Sequence, residues 1–177
     1  MKKLLVVVDY QNDFVDGALG FEGADKIEEN ILKLMKEFEE RQDFICFTLD
    51  THERDYLKTT EGKYLPVEHC IKGTNGWKIR QRVEETDKYH LFPRFEKYTF
   101  GSLELGNYIR GLTPIVDEVV LVGLVSNICV ISNAIIAKAA LGPKGVVKVV
   151  RNATSSYDLE MQEKGFDILK NLHIEII

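Results

Sequence analysis

Long apolar runs are missing from this 177-residue chain. No segment approaches the roughly 18 consecutive apolar residues of a membrane span, which argues against a membrane role. Basic tracts are missing too, and the formal net charge is −5, so nucleic acid is not an expected partner. Cysteine is scarce. Cys46, Cys70 and Cys129 are odd in number and fit no C-x-x-C pattern, which predicts reduced thiols in a cytoplasmic setting rather than a disulfide framework. Nucleotide-binding glycine patterns are absent. Gly17, Gly20 and Gly23 are not spaced G-x-G-x-x-G, Gly142-Pro143-Lys144-Gly145 is a turn and not a P-loop, and no G-x-S-x-G elbow occurs. A leader peptide is not expected either. Lys2 and Lys3 precede an apolar run, but that run covers only residues 4–8 and ends in Asp9, with no small-residue cleavage site after it.

What is present is an alternation. Residues 4–8, 44–49, 89–92, 119–122, 146–150 and 172–176 are short apolar runs expected to be strands. Between them, residues 25–40, 102–110, 128–141 and 158–170 carry helical spacing, with Ile27, Ile31, Leu34 and Phe38 on one face of the first. Such alternation predicts a single α/β domain over 1–177, built on a mostly parallel sheet with helices on both faces. Residues 50–76 form a polar, irregular segment too long for an idle connection. No repeat, low-complexity tract or linker divides the chain.

Ligands of open parallel sheets bind beyond the carboxyl ends of the strands. Asp9 follows the first run, Asp50 and His52 the second, Lys97 the third and Cys129 the fourth. In the segment from Val119 to Ala139, Gly123 ends a strand and Ser126 is the expected N-cap of a helix that places Cys129 at its third position. Free N–H groups at a helix start bind anions and lower a thiol pKa, so Cys129 is a candidate nucleophile. An ordinary buried cysteine on a core helix fits the same pattern. Asp9 is the candidate base and Lys97 its cationic partner. Asp50 and His52 form a D-x-H pair on an extended chain, and His69 lies in the same long loop. Two imidazoles and a carboxylate suit Zn²⁺ or Fe²⁺, with Glu61 as a further candidate. His90 and His173 have no partner pattern and read as structural.

Three stretches carry a resemblance. Val8 to Phe14 (VDYQNDF), Lys97 to Phe100 (KYTF) and Gly123 to Val130 (GLVSNICV) resemble the three motifs of the isochorismatase-like cysteine hydrolases. Asp50-x-His52 and His69 to Thr74 (HCIKGT) resemble the metal-site motifs of the nicotinamidase branch. The resemblance runs from the first strand to the last. It implies a three-layer, six-stranded Rossmann-like fold and a triad of Asp9, Lys97 and Cys129. It also implies a non-proline cis peptide at Val125–Ser126, with the N–H groups of Ser126 and Cys129 as an oxyanion hole. A divalent metal on Asp50, His52 and His69, with Glu61, is implied as well. The implied activity is hydrolysis of a small amide, nicotinamide foremost, in NAD salvage by a homo-oligomer whose site loops a neighbour could complete. Ureido and carbamoyl amides, or a silent binding module, are the alternatives. Phe14 matches an aromatic that packs on the substrate ring. Leu65 stands where nicotinamidases commonly carry tryptophan, so Trp77 is considered as a substitute wall, with helix packing as its plainer role.

Overall fold

A computed structural model describes residues 1–86 and 88–177. Six strands form one parallel sheet in the order β3-β2-β1-β4-β5-β6: β1 (Lys2–Val8), β2 (Phe44–Asp50), β3 (Arg94–Lys97), β4 (Val116–Leu124), β5 (Val146–Ser155) and β6 (Glu175–Ile176). The helices are α1 (Asn12–Val15), α2 (Glu28–Glu40), α3 (Thr60–Tyr64), α4 (Gln81–Glu84), α5 (Leu103–Leu112), α6 (Ile131–Leu141) and α7 (Leu159–Asn171). The chain is a three-layer α/β structure. Alternation within β1 explains the layering. Leu5 and Val7 join an apolar cluster with Ile31, Met35 and Phe38 of α2, while Leu4, Val6 and Val8 face Leu105 and Ile109 of α5, Ala134 and Ala137 of α6, and Phe166 of α7. Among the described residues no helix is long and apolar enough to cross a membrane.

Several expectations need correction. The third strand is not residues 89–92. Tyr89–Leu91 is a 3₁₀ turn, and Tyr89 and Phe92 lay their rings against Phe47 of β2. The strand is Arg94–Lys97 instead, paired only with β2 at the sheet edge, so it needs no apolar run. The helix expected from residue 25 opens with a 3₁₀ turn at Asp25–Ile27, and Met35 is buried with Ile31 and Phe38 while Leu34 is only half-buried. The last strand shrinks to Glu175–Ile176. Gly123 does not end β4; it lies within the strand at φ +107°. A Cβ there would collide with the backbone of Val8 on β1, so this position demands glycine on both counts.

β1 and β4 are neighbours although β2 and β3 intervene in sequence. The chain winds outward from β1 in one direction through β2 and β3, then in the other from β4. Their carboxyl ends therefore flank a topological switch point, where open α/β sheets leave a crevice.

Candidate active site and metal centre

Asp9, Asp50, Lys97 and Cys129 reach the crevice from strand ends, whereas Glu61 comes from α3 and His69 from the loop after it. Asp9 follows β1 in the left-handed region, φ 44°, with its N–H donating to Thr48 O at 3.2 Å. Lys97 is the last residue of β3, in register with Asp50 at the end of β2. Cys129 lies in a π-type turn, Ser126–Val130, that joins β4 to α6; there Val130 N–H donates to Val125 O at 3.2 Å, five residues back. The non-proline cis peptide is Leu124–Val125, one bond earlier than expected. Ser126 is not the N-cap. Val125 takes that position, which makes Cys129 the fourth residue of the turn rather than the third. The Ser126 hydroxyl turns away to Thr154 Oγ1 at 3.0 Å and Gln162 Oε1 at 2.8 Å, while the Thr154 hydroxyl donates to Gly123 O at 2.7 Å.

Lys97 is the centre of the arrangement. Its Nζ lies 2.6 Å from Asp9 Oδ2, 3.0 Å from Asp50 Oδ1, 3.1 Å from Thr99 O and 3.5 Å from Cys129 Sγ. Asp9, Lys97 and Cys129 are all buried. Burial pushes the Asp9 carboxyl up despite the Lys97 ammonium and the Thr48 hydroxyl, which donates to Oδ1 at 2.7 Å. Burial also opposes the Lys97 charge, yet Asp9, Cys129 and Asp50 hold its pKa well above the ordinary lysine value. The thiol departs from expectation. Burial raises Cys129 well above the ordinary cysteine value, Lys97 pulls it down, and Asp9 pushes it up by its charge and by hydrogen bonding. Burial beside two carboxylates thus favours the protonated thiol over the thiolate.

The second cluster adjoins the first through one carboxylate. Asp50 turns Oδ1 to Lys97 and Oδ2 to His52 Nε2 at 3.0 Å and His69 Nε2 at 3.3 Å. Glu61 Oε1 lies 3.8 Å from His52 Nε2 and 3.6 Å from His69 Nε2. Burial acts to raise Asp50, but Lys97 and the two imidazoles hold its carboxyl far below the usual range. Burial and the Asp50 charge push Glu61 up. All four donor atoms fall within 4.8 Å of one another. Bonds of about 2.0–2.2 Å around a tetrahedral zinc put ligand atoms roughly 3.3–3.5 Å apart, so the spacing fits such an ion. The chemistry fits as well: the His69 Nδ1–H donates to Val67 O at 2.8 Å, which leaves the Nε2 lone pair facing the cluster.

Beyond these clusters lies a cavity of about 430 Å³. Asp50, Glu61, His69 and Cys129 form its polar end, and Phe14 and Leu65 line it as expected. Val125 and Ile128 line it too, whereas Ser126 is not among the lining residues. Trp77 is not either; its indole N–H donates to Thr51 Oγ1 at 2.9 Å, and its ring packs on the core. His90 and His173 are exposed, and neither belongs to the candidate metal group or lines the cavity.

Several residues that build the site gave little warning in the sequence. Gln11 clamps Asp50 on both sides, accepting from Asp50 N–H at 2.8 Å and donating to Asp50 O at 2.9 Å. Asp13 accepts from Cys70 N–H at 2.7 Å and so fixes the chain beside His69. Asn133 ties the nucleophile's turn to the loop after β3, donating to Cys129 O at 2.8 Å and Phe100 O at 3.1 Å and accepting from Ser102 N–H at 3.0 Å. Thr48 is the exception: a hydroxyl in an otherwise apolar strand interior is a readable signal. Phe21, Phe100 and Tyr157 enter the cavity from loops without periodicity.

Comparison with known proteins agrees with this fold. Residues 3–177 match the sequence profile of the Isochorismatase domain. An isochorismatase family protein of Bacillus subtilis, PncA, is 31% identical over 145 residues, covering 76% of this chain and 78% of its own. The crystal structure of nicotinamidase PncA from Bacillus subtilis superposes with a TM-score of 0.84 at 29% identity, covering 99% of both chains. The fold is also that of a pyrazinamidase of Pyrococcus horikoshii determined in complex with zinc, with a TM-score of 0.85 at 24% identity over 100% of this chain and 99% of that one.

Proposed function

Because the chain belongs to the isochorismatase family, we propose that it is a metal-containing cysteine amidohydrolase acting on nicotinamide, with Asp9, Lys97 and Cys129 as its catalytic residues. The coarser statement, that the chain is an amide hydrolase, follows from the family and from its nicotinamidase relatives. The observation that carries the finer reading is the Lys97 ammonium held between Asp9 Oδ2 at 2.6 Å and Cys129 Sγ at 3.5 Å.

The steps follow from the placement of Lys97 between Asp9 and Cys129. Asp9, with a raised pKa, accepts the Cys129 thiol proton as the sulfur attacks the amide carbonyl. Lys97 stabilises the developing thiolate and keeps Asp9 oriented. The tetrahedral oxyanion faces the backbone N–H groups of Val125 and Cys129, whose residues both line the cavity. Asp9 returns the proton to the leaving nitrogen, ammonia departs, and a thioester remains on Cys129. Asp9 then takes a proton from water, hydroxide adds to the thioester, and collapse releases the carboxylate and regenerates the thiol.

Asp50, His52, His69 and Glu61 would hold a divalent cation, Zn²⁺ or Fe²⁺ by donor type. Held there, the cation would supply a Lewis-acid site for a ring nitrogen of the substrate. Phe14, whose ring lies 5.7 Å from that of His69, and Leu65 supply apolar walls for a flat ring. The test is ammonia release from zinc-loaded protein. Nicotinamide turnover that Cys129→Ala abolishes supports the reading. Turnover of N-carbamoyl amides without turnover of nicotinamide would transfer it to the ureido and carbamoyl class.

A further inference from the structure

The cavity at Cys129 has a neighbour. A second cavity, of about 620 Å³, runs beside Thr154, Ser155 and Ser156, with Asn152, Lys26 and Glu22 at its edge. Phe21 and Tyr157 line both spaces. Their rings meet edge to face, 6.1 Å apart at 76°, across the boundary. Away from its polar end the Cys129 side is aromatic and aliphatic, whereas the far side adds hydroxyls and the charges of Glu22 and Lys26 to Ile27 and Leu159.

We propose that the Phe21–Tyr157 contact sets the length limit of the substrate pocket, restricting the enzyme to compact ring amides and closing off a polar subsite for a ring substituent. The proposal rests on the reading of Cys129 as the nucleophile of the adjoining cavity. Both rings hang from anchored backbone, so the partition is built in rather than induced. On the Phe21 side, Leu19 N–H donates to Asp13 O at 2.8 Å, Ala18 N–H to Asp13 Oδ1 at 3.1 Å and Ala24 N–H to Phe21 O at 3.2 Å. On the Tyr157 side, the Ser156 hydroxyl donates to Asn127 Oδ1 at 2.7 Å and accepts from Asp158 N–H at 3.0 Å. With the pair in place the first cavity is at the small end of ligand sites, about 300–1,000 Å³; without it the continuous space more than doubles. The newly reached wall carries hydroxyls together with the Lys26 ammonium and its Glu22 partner, 3.9 Å apart. It therefore suits a hydrogen-bonding substituent such as a hydroxyalkyl tail.

The experiment compares access with and without the ring pair. Cys129 is alkylated with iodoacetamide and with an N-aryl iodoacetamide bearing a hydroxyalkyl tail, and its peptide is followed by mass spectrometry. In parallel, kcat/KM is measured for nicotinamide and for nicotinamide with a hydroxyalkyl substituent on the ring. The proposal predicts a long-to-compact ratio below about 0.1 in the native protein, a rise of at least tenfold in Tyr157→Ala and in Phe21→Ala, and no rise in Tyr157→Phe. Tyr157 is 63% exposed, so its replacement leaves the core intact. A native ratio near one, an unchanged ratio in Tyr157→Ala, or an equal rise in Tyr157→Phe overturns it. Alkylation needs no hydrolysis. A protein that cleaves neither amide defeats the functional reading, while the alkylation ratio still decides this one.

Discussion

Replacing Lys97 by methionine removes the ammonium that lies between two buried carboxylates, Asp9 and Asp50. The methionine fills nearly the same volume, so the loss is electrostatic. Breaking a buried ion pair by deleting one partner costs about 3–5 kcal/mol, because the remaining charge stays desolvated. Against a domain stability of about 5–15 kcal/mol, and with roughly 2–4 °C per kcal/mol at this chain length, Tm should fall by about 6–20 °C. The measurement is thermal and urea unfolding of metal-free protein at pH 7.5, since a bound cation would partly neutralise Asp50. The pH dependence has a definite sign. Without Lys97, the folded pKa of Asp9 lies further above its unfolded value, so protonation favours the fold. The variant should regain stability as the pH drops below that raised pKa and lose it as the pH rises through it. The decisive arm is the double variant. Asp9→Asn removes the stranded charge, so Asp9→Asn with Lys97→Met should be more stable than the sum of the single losses by at least about 2 kcal/mol. Strict additivity, or a Lys97→Met protein as stable as the native one, would refute the claim that these groups form one buried electrostatic unit.

Other consequences can be checked separately. Gly123→Ala puts a side chain at φ +107° against the Val8 backbone and should cost at least about 2 kcal/mol in chemical denaturation, with activity lost because β1 and β4 carry Asp9 and Cys129. Thr48→Val deletes the hydroxyl bond that lowers the Asp9 pKa, so the acid limb of the kcat/KM profile should move to higher pH while the alkaline limb stays. Burial opposes a proton on His69, but Asp50 and Val67 raise its pKa above 6.5. Zinc must displace that proton, so calorimetric affinity should fall on the order of tenfold per pH unit below the raised pKa. Glu61→Gln should weaken zinc binding without altering iodoacetamide reactivity at Cys129.

The sheet was legible because strands buried on both faces read as continuous apolar runs. β3 was not, because Arg94–Lys97 is an edge strand with a polar pattern, and the nearby apolar residues Tyr89 and Phe92 serve as packing against Phe47. Asp9, Asp50, Lys97 and Cys129 could be named in advance because each sits at a strand's carboxyl end, and the sheet order then brings those ends together. The local structure at Cys129 could not. Ser126 has the right chemistry for an N-cap, but its partners are Thr154 and Gln162, 28 and 36 residues away, and sequence spacing does not report such distant competition. The thiol's pKa failed for a related reason. A helix start lowers a thiol pKa locally, whereas full burial beside Asp9 and Asp50 acts through the tertiary structure and wins. The pocket rings Phe21 and Tyr157 were silent because loop residues carry no period to read.

With Cys129 as nucleophile, turnover passes through a covalent acyl intermediate on its sulfur. Zinc-loaded protein is mixed with nicotinamide, quenched in acid during turnover, digested and mapped by mass spectrometry. A pyridine-3-carbonyl adduct is expected on the peptide containing Cys129, absent in Cys129→Ala, with ammonia release abolished by the same substitution. Steady ammonia release from Cys129→Ala, or an adduct on Cys46 or Cys70 instead, would contradict it.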